Sequence, residues 1–156
     1  MHDACYMHLW QNSFATWSCE DKIAVINVFG WHVKIPNTAQ RRRALPLHDR
    51  LHFAMCFGTD ELGEWKLAGW EARTGLPGYG LFIHLLVFQT LVLGLLFAPC
   101  PTLASWRAAG GQRSLSAAPL PAEVLERITL GELRDHLGVP AQGNVTAAPR
   151  LHPYEP

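Results

Sequence analysis

The sequence predicts an all-α fold, a small helical bundle with one very apolar helix. Three observations predict it. Two helix-textured segments follow one another, Gln40 to Cys56 and then about Thr59 to Arg73, with a glycine-containing turn between them. Gly80 to Ala98 is a run of nineteen residues without a charged side chain. Val124 to Leu137 is amphipathic at helical period and is stopped by Gly138 and Pro140.

Taken in order, residues 1–39 form a poorly defined or divergent N-terminal segment. Trp10, Trp17 and Trp31 recur in it at no helical period, and residues 22–33, rich in Val and Ile, read as one β-strand. Residues 40–140 form the helical domain and 141–156 a tail. Pro46 either kinks the first helix or marks its first turn. Phe57-Gly58-Thr59 ends that helix, because glycine suits the left-handed position just past a helix. Thr59 then reads as the next N-cap, with Asp60 and Glu61 in the first turn, where the helix dipole favours anions. Thr74-Gly75-Leu76-Pro77-Gly78 stops the second helix. The apolar segment ends at Pro99-Cys100-Pro101, and residues 108–121 read as a small-residue linker. No internal repeat is visible.

Composition narrows the class. The 156 residues suit one hydrophobic core. Hydrophobic residues make up 49% and charged residues 17%, below the usual quarter, which points to apolar surface beyond that of an ordinary core. Thirteen basic against thirteen acidic residues leave no basic excess, so nucleic acid is not an expected partner. Cys5, Cys19, Cys56 and Cys100 form no C-x-x-C pair and no disulfide framework, which suits a reducing compartment. Asp3, Glu20 and Asp21 interrupt any secretory or transit pattern.

The chemistry centres on four residues. His48 and His52 are four apart, so a helix stacks them one turn above each other on one face, with Asp49 on its flank. Glu64 follows His52 after eleven intervening residues, and a helix–turn–helix carries it back towards the histidines. Neutral nitrogen donors and anionic oxygens held together in advance are what a divalent metal requires. The expected ligands are therefore His48, Asp49, His52 and Glu64, in a site between two consecutive helices. A bare H-x-x-x-H is more often a pair of ordinary polar side chains, and the Asp, the turn and the Glu shift the balance. Where zincins carry a catalytic Glu after the first His, this chain has Asp49, which is shorter and suits ligation, so a peptidase is not the reading. Asp60 and Glu61 are explained by the helix start, and His84 by an apolar helix carrying one polar residue.

His48-Asp49-x-x-His52, eleven residues and Glu64 resemble the zinc-ligand motif of the coenzyme Q biosynthesis protein 4 family. The likeness extends through Gly58-Thr59-Asp60, Gly63-Glu64, Trp70-Glu71 and Thr74-Gly75-Leu76-Pro77, and more loosely through Leu130 to Gly138, covering about residues 44–140. Residues 1–39 do not share it, and Pro46 is unusual so close to the ligands. The expectation is a truncated or divergent N-terminus.

The resemblance implies ubiquinone biosynthesis. The implied activity is metal-dependent C1 decarboxylation and hydroxylation of a polyprenylated aromatic ring, a lyase or oxidative decarboxylase reaction with Zn2+ or another divalent metal. It implies a location peripheral to the inner membrane, on the cytoplasmic face in bacteria or the matrix face in mitochondria. Implied partners are the polyprenylated quinone precursor, membrane lipid and other enzymes of the pathway, with a homodimer left open. Residues 80–98 are long enough to span a bilayer and equally suited to a helix within the bundle, either lining a groove for an isoprenoid tail or buried as ordinary core. Arg41-Arg42-Arg43 suits either anionic headgroups or a solvated face. Two alternatives stand: a non-catalytic scaffold for the pathway enzymes, and a His-Asp type phosphohydrolase, which needs further ligands such as His32 and Asp135.

Overall fold

The protein is seen in a computed structural model that describes residues 22–28 and 31–144. The expectations for residues 1–21, including Cys5 and Cys19, and for 145–156 lie outside that range. The described chain contains strands β1 (Ile23–Val28) and β2 (Trp31–Pro36). Six helices follow: α1 (Ala39–Met55), α2 (Glu61–Thr74), α3 (Leu81–Phe97), α4 (Pro99–Ala108), α5 (Ala122–Leu125) and α6 (Leu130–Leu137).

The helical expectation holds for most of the described residues. The Val/Ile-rich stretch is an antiparallel pair of strands rather than one, with Ile23 opposite Pro36 and Val28 opposite Trp31. A lone strand would leave its N–H and C=O groups unpaired, and the second strand supplies partners. The ladder leads directly into α1. Asn37 N–H donates to Lys22 O, and the Thr38 hydroxyl caps the helix by accepting from Arg41 N–H at 3.2 Å. Arg41 and Arg42 also donate to Asn37, to its side chain and its carbonyl respectively. This part of the arginine run therefore fastens the helix start.

Helix α1 runs through Pro46 without ending, so this proline is not a first-turn residue. It ends one residue after Met55, with Cys56 in the left-handed region at φ 55°. The expected glycine stop at Gly58 is thus corrected: the reversal happens earlier, on a non-glycine residue, and is held from outside. Arg134 on α6 is buried against this end, donating to Ala54 O at 2.8 Å, to Phe53 O at 3.3 Å and to Cys56 Sγ at 2.9 Å. A cation there satisfies the last carbonyls of α1 and complements its dipole.

The N-cap of α2 is Asp60, not Thr59, and its carboxylate accepts from Gly63 N–H at 2.9 Å. Asp60 and Thr59 are both competent caps, and the backbone contact of Gly63 with Gly58 selects the register. A Cβ on Gly63 would overlap the Gly58 carbonyl, so glycine lets the first turn of α2 press against the chain leaving α1.

Helices α2, α3 and α4 pack together. A Cβ on Gly94 would meet both Thr102 and Trp65, so α3 approaches α4 and α2 closely at that point. Helix α4 begins at Pro99, where a proline sacrifices no helical hydrogen bond. The prolines expected to end the apolar segment therefore start a further helix, which the sequence reading missed. Of the expected linker 108–121, Ala108 closes α4 and residues 109–121 carry no helix, but Ser114 and Leu115 are buried, and Gln112 accepts from Trp70 Nε1–H at 2.6 Å. The expected single helix over 124–137 is broken in two. Thr129 and Glu132 form a reciprocal capping box, which starts α6 afresh. The core lies under α1, α2 and α6, from Leu51, Ala54, Met55, Leu67 and Trp70 to Leu133 and Leu137. Asn144, also buried, reaches it from the far side, its N–H donating to Met55 O.

Helix α3 buries Ile83 and Gly94 and exposes Leu81, Leu85, Phe88, Val92 and Leu96. The spacing of four, three, four and four makes these one continuous apolar stripe. At seventeen residues the helix is about 25 Å long. Among the described residues, no helix is long and apolar enough to cross a membrane.

Candidate metal centre

Helices α1 and α2 bring three of the four expected ligands together. His48 Nε2 lies 3.2 Å from His52 Nε2 and 3.2 Å from Glu64 Oε2, and His52 Nε2 lies 3.1 Å from Glu64 Oε1. The two imidazoles meet edge to face, with centroids 4.9 Å apart. Their Nε2 atoms converge because one turn of α1 separates them, and the carboxylate of Glu64 arrives from the first turn of α2.

These separations can be compared with what an ion demands. Ligand bonds of about 2.1 Å place neighbouring donors about 3.4 Å apart in a tetrahedral site and about 3.0 Å apart in an octahedral one. The nitrogen–nitrogen edge of 3.2 Å lies between the two, and the carboxylate turns a different oxygen to each imidazole, Oε2 to His48 at 3.2 Å and Oε1 to His52 at 3.1 Å. The donor set of two nitrogens and a carboxylate fits a divalent metal, and it does not choose between Zn2+ and a six-coordinate ion.

Asp49, the fourth expected ligand, is exposed on α1, and its carboxylate is not among the converging atoms. It is still near enough for the charges of His48, His52 and Glu64 to act on it. Of the other residues weighed from the sequence, Asp60 is a helix cap, Glu61 is exposed, and His84 contacts Gly80 O on the exposed side of α3. His32 and Asp135, which a phosphohydrolase would need, are exposed and stand outside the cluster.

The surroundings polarise the three groups. Burial pulls the His48 pKa down, but the carboxylates of Glu64 and Glu71 outweigh it and hold the imidazole well above its ordinary 6.5. Burial pushes Glu64 up, and the two histidines overcome that, leaving its carboxyl far below the ordinary 4.5. Without a metal, the cluster is therefore an imidazolium–carboxylate pair at neutral pH. His52 is almost wholly buried, and its Nδ1 has no hydrogen-bond partner among the described residues.

Glu71 is the residue that sequence reasoning passed over as a site residue. It is buried on α2, seven residues after Glu64 and so on the same face, with Oε1 3.5 Å from His48 Nδ1. That i, i+7 spacing was visible in the sequence.

The cluster lies beside a cavity of about 190 Å³. His48, Glu64 and Glu71 line it together with Arg41 and Tyr79, and Ile83, Leu86 and Val87 of α3 supply an apolar wall. Burial, chiefly, and the nearby Glu71 raise the Tyr79 phenol above its ordinary pKa, keeping it a hydrogen-bond donor. Among known proteins, no family model, no curated sequence and no solved structure matches this chain.

Proposed function

We propose that this chain is a metal-dependent enzyme of ubiquinone biosynthesis. In this reading it removes the C1 carboxylate and hydroxylates that carbon on a polyprenylated aromatic ring, working at a membrane surface. The observation that carries the reading is the cluster of His48, His52 and Glu64, of which His48 and Glu64 line a cavity that the charge-free helix α3 also walls. A polar, metal-competent end joined to an apolar wall suits a ligand with an ionisable aromatic head and a hydrocarbon tail.

His48, His52 and Glu64 would hold the ion. A bound divalent ion supplies Lewis acidity towards a ring carboxylate or phenolate. Arg41 and Tyr79 offer a cation and a phenolic donor to the anionic head within the same cavity. Ile83, Leu86 and Val87 exclude water from the tail. A metal that only pinned two helices would be expected among closed, fully buried ligands; here the His48 and Glu64 side chains keep 28% and 29% exposure. That favours catalysis over the scaffold alternative. The exposed stripe of α3 is the feature that keeps a role in assembly or membrane attachment alongside it.

The test places a charge in the wall. Leu86→Glu should weaken binding of a polyprenylated 4-hydroxybenzoate by at least tenfold, because a carboxylate facing a hydrocarbon tail must be desolvated or neutralised. A tail-free hydroxybenzoate should bind the metal-loaded variant as it binds the parent. Equal loss of both ligands, or of neither, in a folded variant removes the tail assignment.

A further inference from the structure

We propose that Glu71 is the positioning residue of the metal centre: its carboxylate accepts the Nδ1–H of His48 and fixes the ring with Nε2 facing His52 and Glu64. The proposal rests on the metal reading above and adds a residue to it. Glu64 and Glu71 lie two turns apart on one face of α2, and the His48 ring stands between them. Its Nε2 is 3.2 Å from Glu64, and its opposite nitrogen is 3.5 Å from Glu71. The second distance is at the long edge of hydrogen bonding, and the ligating role of Nε2 requires the proton to be on Nδ1, facing Glu71.

Burial makes the same point independently. Glutamate is almost never buried without a partner, and Glu71 is 6% exposed. Among the described residues, its ion pair is with His48. A carboxylate behind a ligating imidazole fixes the tautomer, sets the ring orientation and makes the nitrogen more basic. His52 has no such support, since its Nδ1 is without a partner. Its ring is held by the packing around it, where it is 1% exposed. His48 is the less buried of the two and therefore the one that needs an orienting group.

The test compares Glu71→Leu and Glu71→Gln with the parent and with His52→Ala. Zn2+ affinity is read by competition with a chromophoric chelator, the site geometry by the absorption spectrum of bound Co2+, and helix content by circular dichroism. Glu71→Leu keeps the volume and removes the acceptor, so Zn2+ affinity should fall 10- to 100-fold, with altered Co2+ bands. Glu71→Gln keeps an acceptor oxygen, so it should return to within a few-fold of the parent, with the parent's Co2+ bands. A helical Glu71→Leu protein that binds Zn2+ as the parent does would overturn the proposal and leave the metal site standing. So would a helical Glu71→Gln protein as weak as a ligand mutant, an outcome that also decides the matter if Glu71→Leu fails to fold. A parent that binds no Zn2+ and equals His52→Ala would overturn the metal reading, and this proposal with it.

Discussion

Replacing Leu81, Leu85, Phe88 and Leu96 together by serine tests whether the outer face of α3 meets lipid. These side chains are 75%, 55%, 62% and 69% exposed, so their removal costs the fold little. Full burial of a Leu or Phe side chain is worth about 2 kcal/mol, and scaling by the exposed fractions gives about 5 kcal/mol for the four in hydrocarbon. A helix lying at the headgroup boundary is only partly immersed, which halves this to about 2.5 kcal/mol. The variant should therefore bind phosphatidylglycerol-containing vesicles roughly 70-fold more weakly than the parent in a flotation assay. Its metal content and helicity should be unchanged, because the inner face of α3 is untouched. A quadruple variant that floats with vesicles as well as the parent, or a parent that does not float at all, would refute the lipid assignment of this face.

Two further outcomes follow from the interior. Arg134→Met should lower the unfolding free energy by about 3 kcal/mol, read as a lower urea midpoint, because it strands the Ala54 carbonyl at the end of α1 and removes the bonds to the Phe53 and Ala141 carbonyls; a loss under about 1 kcal/mol would show that water takes over those bonds. Metal uptake at pH 7 should release about one proton, seen as a buffer-dependent calorimetric enthalpy, because His48 is held charged in the metal-free protein and must become neutral to ligate. The release should vanish above the raised His48 value. The sign for metal-free stability is the reverse. The His48 contribution is complete below 6.5 and is lost as pH rises through its raised pKa, while that of Glu64 is complete above 4.5 and is lost as pH falls through its lowered one. The metal-free fold therefore gains most from this cluster between those two values.

Much of the site was legible because its geometry is local. Four residues on a helix make one turn, so His48 and His52 had to share a face, and a short turn left α2 only one way to return. Asp49 illustrates the limit. Adjacency in sequence puts it 100° around the helix from His48, and whether a short carboxylate reaches inward from there depends on packing that no spacing encodes. Glu71 was missed for the opposite reason: its partner lies on another helix, and a lone glutamate in a helix reads as surface. The fold shows the same division. Capping chemistry announced the start of α2, although Thr59 and Asp60 compete for it and tertiary contact decided it; the Thr129–Glu132 capping box that starts α6 was passed over inside a helix read as continuous from Val124. The end of α1 was misplaced because Cys56 takes a left-handed conformation that sequence assigns to glycine, stabilised by an arginine 78 residues away in the chain. Prolines at 99 and 101 read equally as a stop and as a first turn, and only the seat of α4 against α2 and α3 distinguishes them.

The proposed centre requires a bound ion, and metal analysis of the purified protein measures it directly. Elemental analysis after dialysis against trace metal should find about one divalent ion per chain in the parent. In His52→Ala it should find almost none, since removing one of three converging donors opens the site. A parent that takes up no divalent ion, or a His52→Ala protein that keeps a full equivalent, would contradict it.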